Sequence, residues 1–255
     1  MTGSRRCCRV AALLLGLVIA LPAPGGQIDV AVASNFIAAA RVLAERFQEV
    51  SGHQVRLIAG ATGKHYAQIR HGAPFHLFLA ADARRPALLE QAGLVQPDGR
   101  FTYAIGRLVL WSPDPGLVDG AGSVLERRGA FRHLAIANPK LAPYGRAARE
   151  TLQALGLWRS LQGRLVRGEN IGQAYQFVRS GTAQLGLVAL SQLRADESAP
   201  EGSRWLVPER LHAPIEQQAV LLRDTPAARG FLAFMRSDEG RALIRRFGYE
   251  VGDAG

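Results

Sequence analysis

From Gln27 to about Leu193 the chain alternates short apolar runs with longer amphipathic stretches. That alternation limits the fold more than any other feature, because strands interleaved with helices pack as a parallel or mixed sheet covered by helices. The apolar runs at 28–33, 55–59, 77–80, 107–111, 134–137 and 185–189 read as strands. The clearest helix lies at 36–50, where Phe36, Ala40, Leu43, Phe47 and Val50 fall on one face before Ser51-Gly52 ends it. A C-terminal helical pair follows Thr225-Pro226 and restarts at Ser237-Asp238. Gly and Pro cluster at 113–122 and 200–214, and both segments read as surface loops.

The 255 residues are of ordinary globular composition, with 48% hydrophobic and 20% charged residues. One sheet would have to hold too many strand–helix units for this length, so two lobes are expected. The first 26 residues stand apart. Arg5, Arg6 and Arg9 precede an uncharged apolar run at 10–21 and then a small-residue, turn-forming exit at 22–26. This is the plan of a secretory signal peptide, with a cut expected between Ala20 and Gln27. The run is too short to span a bilayer, which needs ~20 apolar residues. Cys7 and Cys8 both lie in this leader, so the exported chain is expected to hold no disulfide and no thiol nucleophile. The formal net charge is +10, and the three leader arginines contribute to it. The remaining arginines are scattered and not interleaved with aromatics in a stripe, which argues against a nucleic-acid partner.

Four strand ends run into small or polar residues at a helix start. They are Ala33-Ser34-Asn35, Gly60-Ala61-Thr62-Gly63, Asn138-Pro139 through Pro143-Tyr144-Gly145, and Glu169-Asn170-Ile171-Gly172. A helix start carries unpaired N–H groups and a partial positive charge, so such junctions suit an anion. Small residues let the backbone approach a ligand, and hydroxyls add donors. Each junction taken alone reads first as a helix cap, since Ser, Thr and Asn cap well. Spacing does not show that the four converge.

At these residues the chain resembles the periplasmic molybdate-binding proteins of ABC importers, which have a type II solute-binding fold. The likeness covers the chain after the leader. It includes Ala33-Ser34-Asn35-Phe36, Gly60-Ala61-Thr62-Gly63 before Tyr66-Ala67-Gln68-Ile69, and Gly72-Ala73-Pro74. It continues through Ala142-Pro143-Tyr144-Gly145, Leu185-Gly186-Leu187-Val188 and Phe247-Gly248-Tyr249. The resemblance implies two lobes, each a mixed sheet flanked by helices, with ligand in the cleft between them. Domain I would be 27–103 plus 218–255, and domain II 104–217. Ser34, Asn35 and Thr62 would contact a molybdate or tungstate dianion from one lobe, and Tyr144 and Ile171 from the other, largely through backbone amides. No cofactor and no side-chain metal ligand is implied. The expected partner is a membrane permease, the expected location the periplasm, and the expected state a monomer.

Two positions depart from that pattern. Ala189 stands where many members carry a ligand-touching tyrosine, and the Asn35 amide is expected to supply the missing donor. His76 stands where an acidic residue is usual. Asp82 is expected to cap the helix that follows it. A receptor for sulfate or phosphate could use the same geometry. A hydrolytic enzyme would need His65, His71, His76, His133 or His212 to work with acids such as Asp82 or Glu169, but these show no paired-ligand spacing. A ligand-sensing module of a transcription regulator is disfavoured by the leader and by the missing DNA-binding helices.

Overall fold

The computed structural model describes residues 26–127 and 129–252, so the leader and both cysteines lie outside the described residues. Two five-stranded sheets are built to one plan. The first contains β1 (Gln27–Ala33), β2 (Gln54–Gly60), β3 (Leu77–Leu79), β4 (Arg100–Gly106) and β10 (Ile215–Leu221), in the order β2-β1-β3-β10-β4. The second contains β5 (Leu108–Ser112), β6 (Leu134–Ala137), β7 (Leu165–Gly168), β8 (Leu185–Ala189) and β9 (Ser203–Leu206), in the order β7-β6-β8-β5-β9. In each, three parallel strands are extended by two more through antiparallel pairings, so that only β10 in the first and β5 in the second run against the rest.

The central strand of each parallel trio is apolar on both faces, as a strand covered by helices must be. Val30, Ala31 and Val32 in β1 and Leu134 through Ala137 in β6 are all fully buried. Helix α1 (Ile37–Ser51) buries Ala40, Leu43 and Phe47 against the first sheet, together with Phe231 of α7 (Pro226–Arg236) and Ile244 of α8 (Asp238–Arg246). Thr225 and Ser237 cap α7 and α8 by accepting from Ala228 N and Gly240 N. The other helices are α2 (Thr62–Arg70), α3 (Arg84–Gln91), α4 (Pro143–Ala154), α5 (Ile171–Arg179) and α6 (Leu190–Ala195).

Four strands escape the apolar pattern. β9 falls inside the segment 200–214 that the sequence presents as a surface loop. It is a short edge strand whose buried Ser203 and Trp205 alternate with exposed Arg204 and Leu206. β10 carries Glu216, Gln217 and Gln218, and both glutamines are buried. Polar residues there hide the strand from hydropathy. β4 continues into β5 through the single residue Arg107, and β7 is only Leu165–Gly168. The family resemblance implies lobe boundaries near 103 and 218. In the structure the strands of the first sheet run to Gly106 and resume at Ile215. A crossing inside a continuous extended segment leaves no turn signal to read.

Candidate anion-binding site

The four strand-to-helix junctions meet at one small cavity. It is lined by Ala33, Ser34 and Asn35 after β1, by Gly60, Ala61 and Thr62 after β2, and by Ala142, Pro143 and Tyr144 at the start of α4. Asn170, Ile171 and Ala81 complete it. The cavity measures ≈ 10 Å³, where a single water needs about 10–15 Å³ on the same scale. The two lobes are therefore closed on each other. Ser34, Asn35, Thr62, Tyr144 and Ile171 all line it.

Whether the junction residues are mere caps is answered helix by helix. The N-cap residues of α2 and α4 are Ala61 and Ala142, and neither has a side-chain cap. Only at α5 does a cap occur, where Asn170 Oδ1 accepts from Gln173 N at 3.0 Å. Thr62, Tyr144 and Ile171 sit in first turns, where N–H groups have no intrahelical acceptor. Three helix N-termini thus direct their positive ends at one point. Pro143 occupies the first turn of α4, where its missing N–H is no loss. Gly145 allows α4 to start so close to β6. A Cβ there would stand 2.4 Å from the Ala137 carbonyl oxygen.

The two hydroxyls at the cavity are oriented by backbone donors. Ala81 N donates to Thr62 Oγ1 at 3.1 Å, and Gly172 N donates to Ser34 Oγ at 3.2 Å, the latter across the cleft. With its oxygen already accepting, each hydroxyl keeps its proton for a ligand. No charged side chain lines the cavity. The donor set is neutral, and the cations stand back from it. Lys64 pairs with Glu169 at 2.9 Å, joining the two lobes beside the junctions. Gly63 N donates to Leu141 O at 2.9 Å and Arg85 Nη2 to Lys140 O at 3.1 Å, two further contacts between lobes.

Asn35 departs from expectation. Its amide nitrogen donates to Gln217 Oε1 at 2.8 Å and to Tyr249 OH at 2.9 Å, so both N–H bonds are committed away from the cavity. Its Oδ1 is buried and has no partner. Gln217, Tyr249 and Ser191, which carry this network, are not found by junction reasoning. Ser191 Oγ donates to the Asn35 carbonyl at 3.0 Å, and Tyr249 OH lies 2.9 Å from both. The Phe247-Gly248-Tyr249 ending was the only sequence signal for any of them. Burial pushes the Tyr103, Tyr144 and Tyr249 hydroxyls above the ordinary phenol range, so all three stay protonated.

The remaining candidates have structural places. Ala189 is buried at the start of α6 and does not line the cavity. Asp82 Oδ1 accepts from Arg85 N at 3.0 Å at the start of α3, and its carboxylate pairs with the Arg85 guanidinium. His65 is buried beneath the β2 junction, with Nδ1 3.1 Å from Gln68 Oε1 and Nε2 3.3 Å from the Val32 carbonyl. Desolvation lowers its pKa, favouring the neutral ring. His76 Nδ1 accepts from Asp29 N at 3.1 Å, and burial lowers its pKa as well. Among the described residues no group of three His, Cys, Asp or Glu side chains could hold a metal ion.

Two similar lobes closed on a cavity of neutral donors define a solute-binding receptor. A profile of the family described as "bacterial extracellular solute-binding protein" matches residues 28–250. The molybdate-binding protein ModA of Azotobacter vinelandii is 46% identical over 94% of this chain and 96% of its own length. That of Rhodobacter capsulatus is 44% identical over 98% and 99%. The solved structure of the Azotobacter vinelandii periplasmic molybdate-binding protein superimposes with a TM-score of 0.84 at 42% identity, covering 89% of this chain and all of that one. The chain belongs to the bacterial extracellular solute-binding proteins and, through these relatives, to the ModA family among them.

Proposed function

We propose that this protein is a periplasmic receptor that captures molybdate or tungstate and delivers it to the permease of an ABC importer. The convergence of three helix N-termini and two oriented hydroxyls on one uncharged cavity supports this reading. A fully deprotonated tetrahedral dianion can accept from every such donor. In our reading Ser34, Asn35 and Thr62 hold the anion from the first lobe, and the Tyr144 and Ile171 N–H groups hold it from the second. We place the hinge at Arg107 and at 207–214, where the chain passes between sheets, with domain I on either side of domain II. Opening there would separate Ser34 from Gly172 and Lys64 from Glu169, giving the ligand its way in and out. The basic stretch and apolar run before Gln27 serve as the export signal.

A panel of oxyanions in a thermal-shift assay tests the proposal. A ligand bound only by the folded state stabilises it by RT ln(1 + [L]/Kd), ~4 kcal/mol at a thousandfold excess over Kd. Molybdate and tungstate are expected to raise the melting temperature by several degrees and sulfate and phosphate far less. A larger shift with sulfate than with molybdate at equal concentration would reassign the ligand.

A further inference from the structure

Asn35 is 3% exposed and lines the cavity, yet its Oδ1 has no donor. An unpaired buried carbonyl oxygen is costly, and beside an anion it is also repulsive. The bonds of its nitrogen lead to a residue outside the cavity. Gln217 in β10 is fully buried, and its Oε1 accepts from Asn35 Nδ2 at 2.8 Å and from Tyr103 OH at 3.1 Å. Its Nε2 points at Tyr144 OH, 3.4 Å away. Gln217 therefore touches one cavity residue of each lobe.

The two ends of a carboxamide are nearly identical in shape but opposite in hydrogen-bonding sense. Turning Asn35 alone by 180° would set Oδ1 against Gln217 Oε1, two acceptors with no proton between them. Turning both amides restores the pairing between them, while the Tyr249 proton leaves Ser191 Oγ and the Asn35 main-chain carbonyl, which Ser191 Oγ still serves. Gln217 Nε2 then donates one hydrogen to Asn35 Oδ1 and the other to Tyr103 OH, which keeps its own proton for the Ala80 carbonyl at 3.2 Å. Tyr249 OH donates to Asn35 Oδ1, and Tyr144 OH donates to Gln217 Oε1. The unpaired group of the set is then Asn35 Nδ2, a donor.

We propose that Gln217 is a positioning residue for anion capture: its amide and that of Asn35 turn together, and the turned pair presents Asn35 Nδ2 to the oxyanion. This rests on the oxyanion-receptor reading above. The same turn makes Gln217 accept from Tyr144 OH.

A double-mutant cycle with molybdate, read by titration calorimetry, tests it. Gln217→Met is expected to weaken binding about 10- to 100-fold, the scale of one charge-assisted hydrogen bond. In an Asn35→Ala background the same substitution is expected to cost less than about threefold, because its effect passes through Asn35. Equal losses in both backgrounds, or none in the single variant, would overturn the proposal. Side-chain ¹⁵N spectra of the unsubstituted protein provide a readout that does not depend on the variants folding. The Asn35 and Gln217 amide resonances are both expected to move on molybdate addition, with the Asn35 protons becoming protected from exchange. Unmoved resonances at saturation would refute the turn. Failure of the unsubstituted protein to bind molybdate at all would instead remove the receptor reading on which the proposal stands.

Discussion

The two lobes share a sheet plan but bring different chemistry to the cavity. The first contributes side chains: the Ser34 and Thr62 hydroxyls, each held by a backbone donor, and the Asn35 amide, held by Gln217 and Tyr249. The second contributes the bare start of α4 and the first turn of α5, while the Tyr144 and Ile171 side chains are buried away from solvent. A site divided in this way responds to substitution unevenly. If the site holds the anion as proposed, the chemistry of a side chain decides affinity on the first side. On the second the path of the backbone would decide it, and side-chain identity would matter only through packing.

The largest effect is expected where backbone path is most constrained. Gly145→Ala would press a Cβ against the Ala137 carbonyl, at 2.4 Å, so α4 must shift. Overpacking of this kind costs ~1–3 kcal/mol of stability. Displacing the first-turn donors should remove ~3 kcal/mol or more of binding, two charge-assisted bonds at their lower range. Denaturant melts and calorimetry on the same variant measure both, and unchanged affinity would show that α4 does not hold the ligand.

Next comes Asn35→Asp, which keeps the shape and places oxygen at both ends of the group. It is expected to lose more affinity than Asn35→Ala, itself expected to lose at least ~1.5 kcal/mol. Normal molybdate binding by the aspartate variant would break the contrast on its first-lobe side. Thr62→Ala should follow, with ~1.5–3 kcal/mol of binding lost for a hydrogen bond to a charged group. The structure adds a second consequence. Removing Oγ1 leaves the buried Ala81 N–H unpaired, so the ligand-free protein should also lose about 1–3 kcal/mol. A melt unchanged by the substitution would show that Ala81 finds another partner. The smallest effect on binding is expected from Ile171→Val. This should cost ~0.5–1.5 kcal/mol of stability and leave molybdate affinity the same, since only the Ile171 backbone is asked to act. A marked affinity loss would show that the second lobe also works through side chains.

Much of this arrangement was legible in the chain. The strands at 134–137 and 185–189 were bounded to the residue, and α1 to within one, because buried apolar runs and one-sided helices leave periodic traces. The junction residues stood out because a helix start that must leave its N–H groups free is written in small and polar residues. β10 did not stand out, since its buried glutamines imitate a loop, and Gln217 went unnoticed with it.

The sequence by itself determined the alternation of strands and helices, the strong apolar cores and the identity of the residues at each junction. These are local properties, set by propensity and by the period of burial. Only the tertiary structure decided that the four junctions meet, that Ala81 and Gly172 orient the Thr62 and Ser34 hydroxyls, and that Asn35 answers to Gln217. Each of these joins residues far apart in the chain, 182 positions in the case of Asn35 and Gln217. A hydrogen bond constrains the direction of both partners, and direction at that separation is set by how two sheets pack, which no local pattern records.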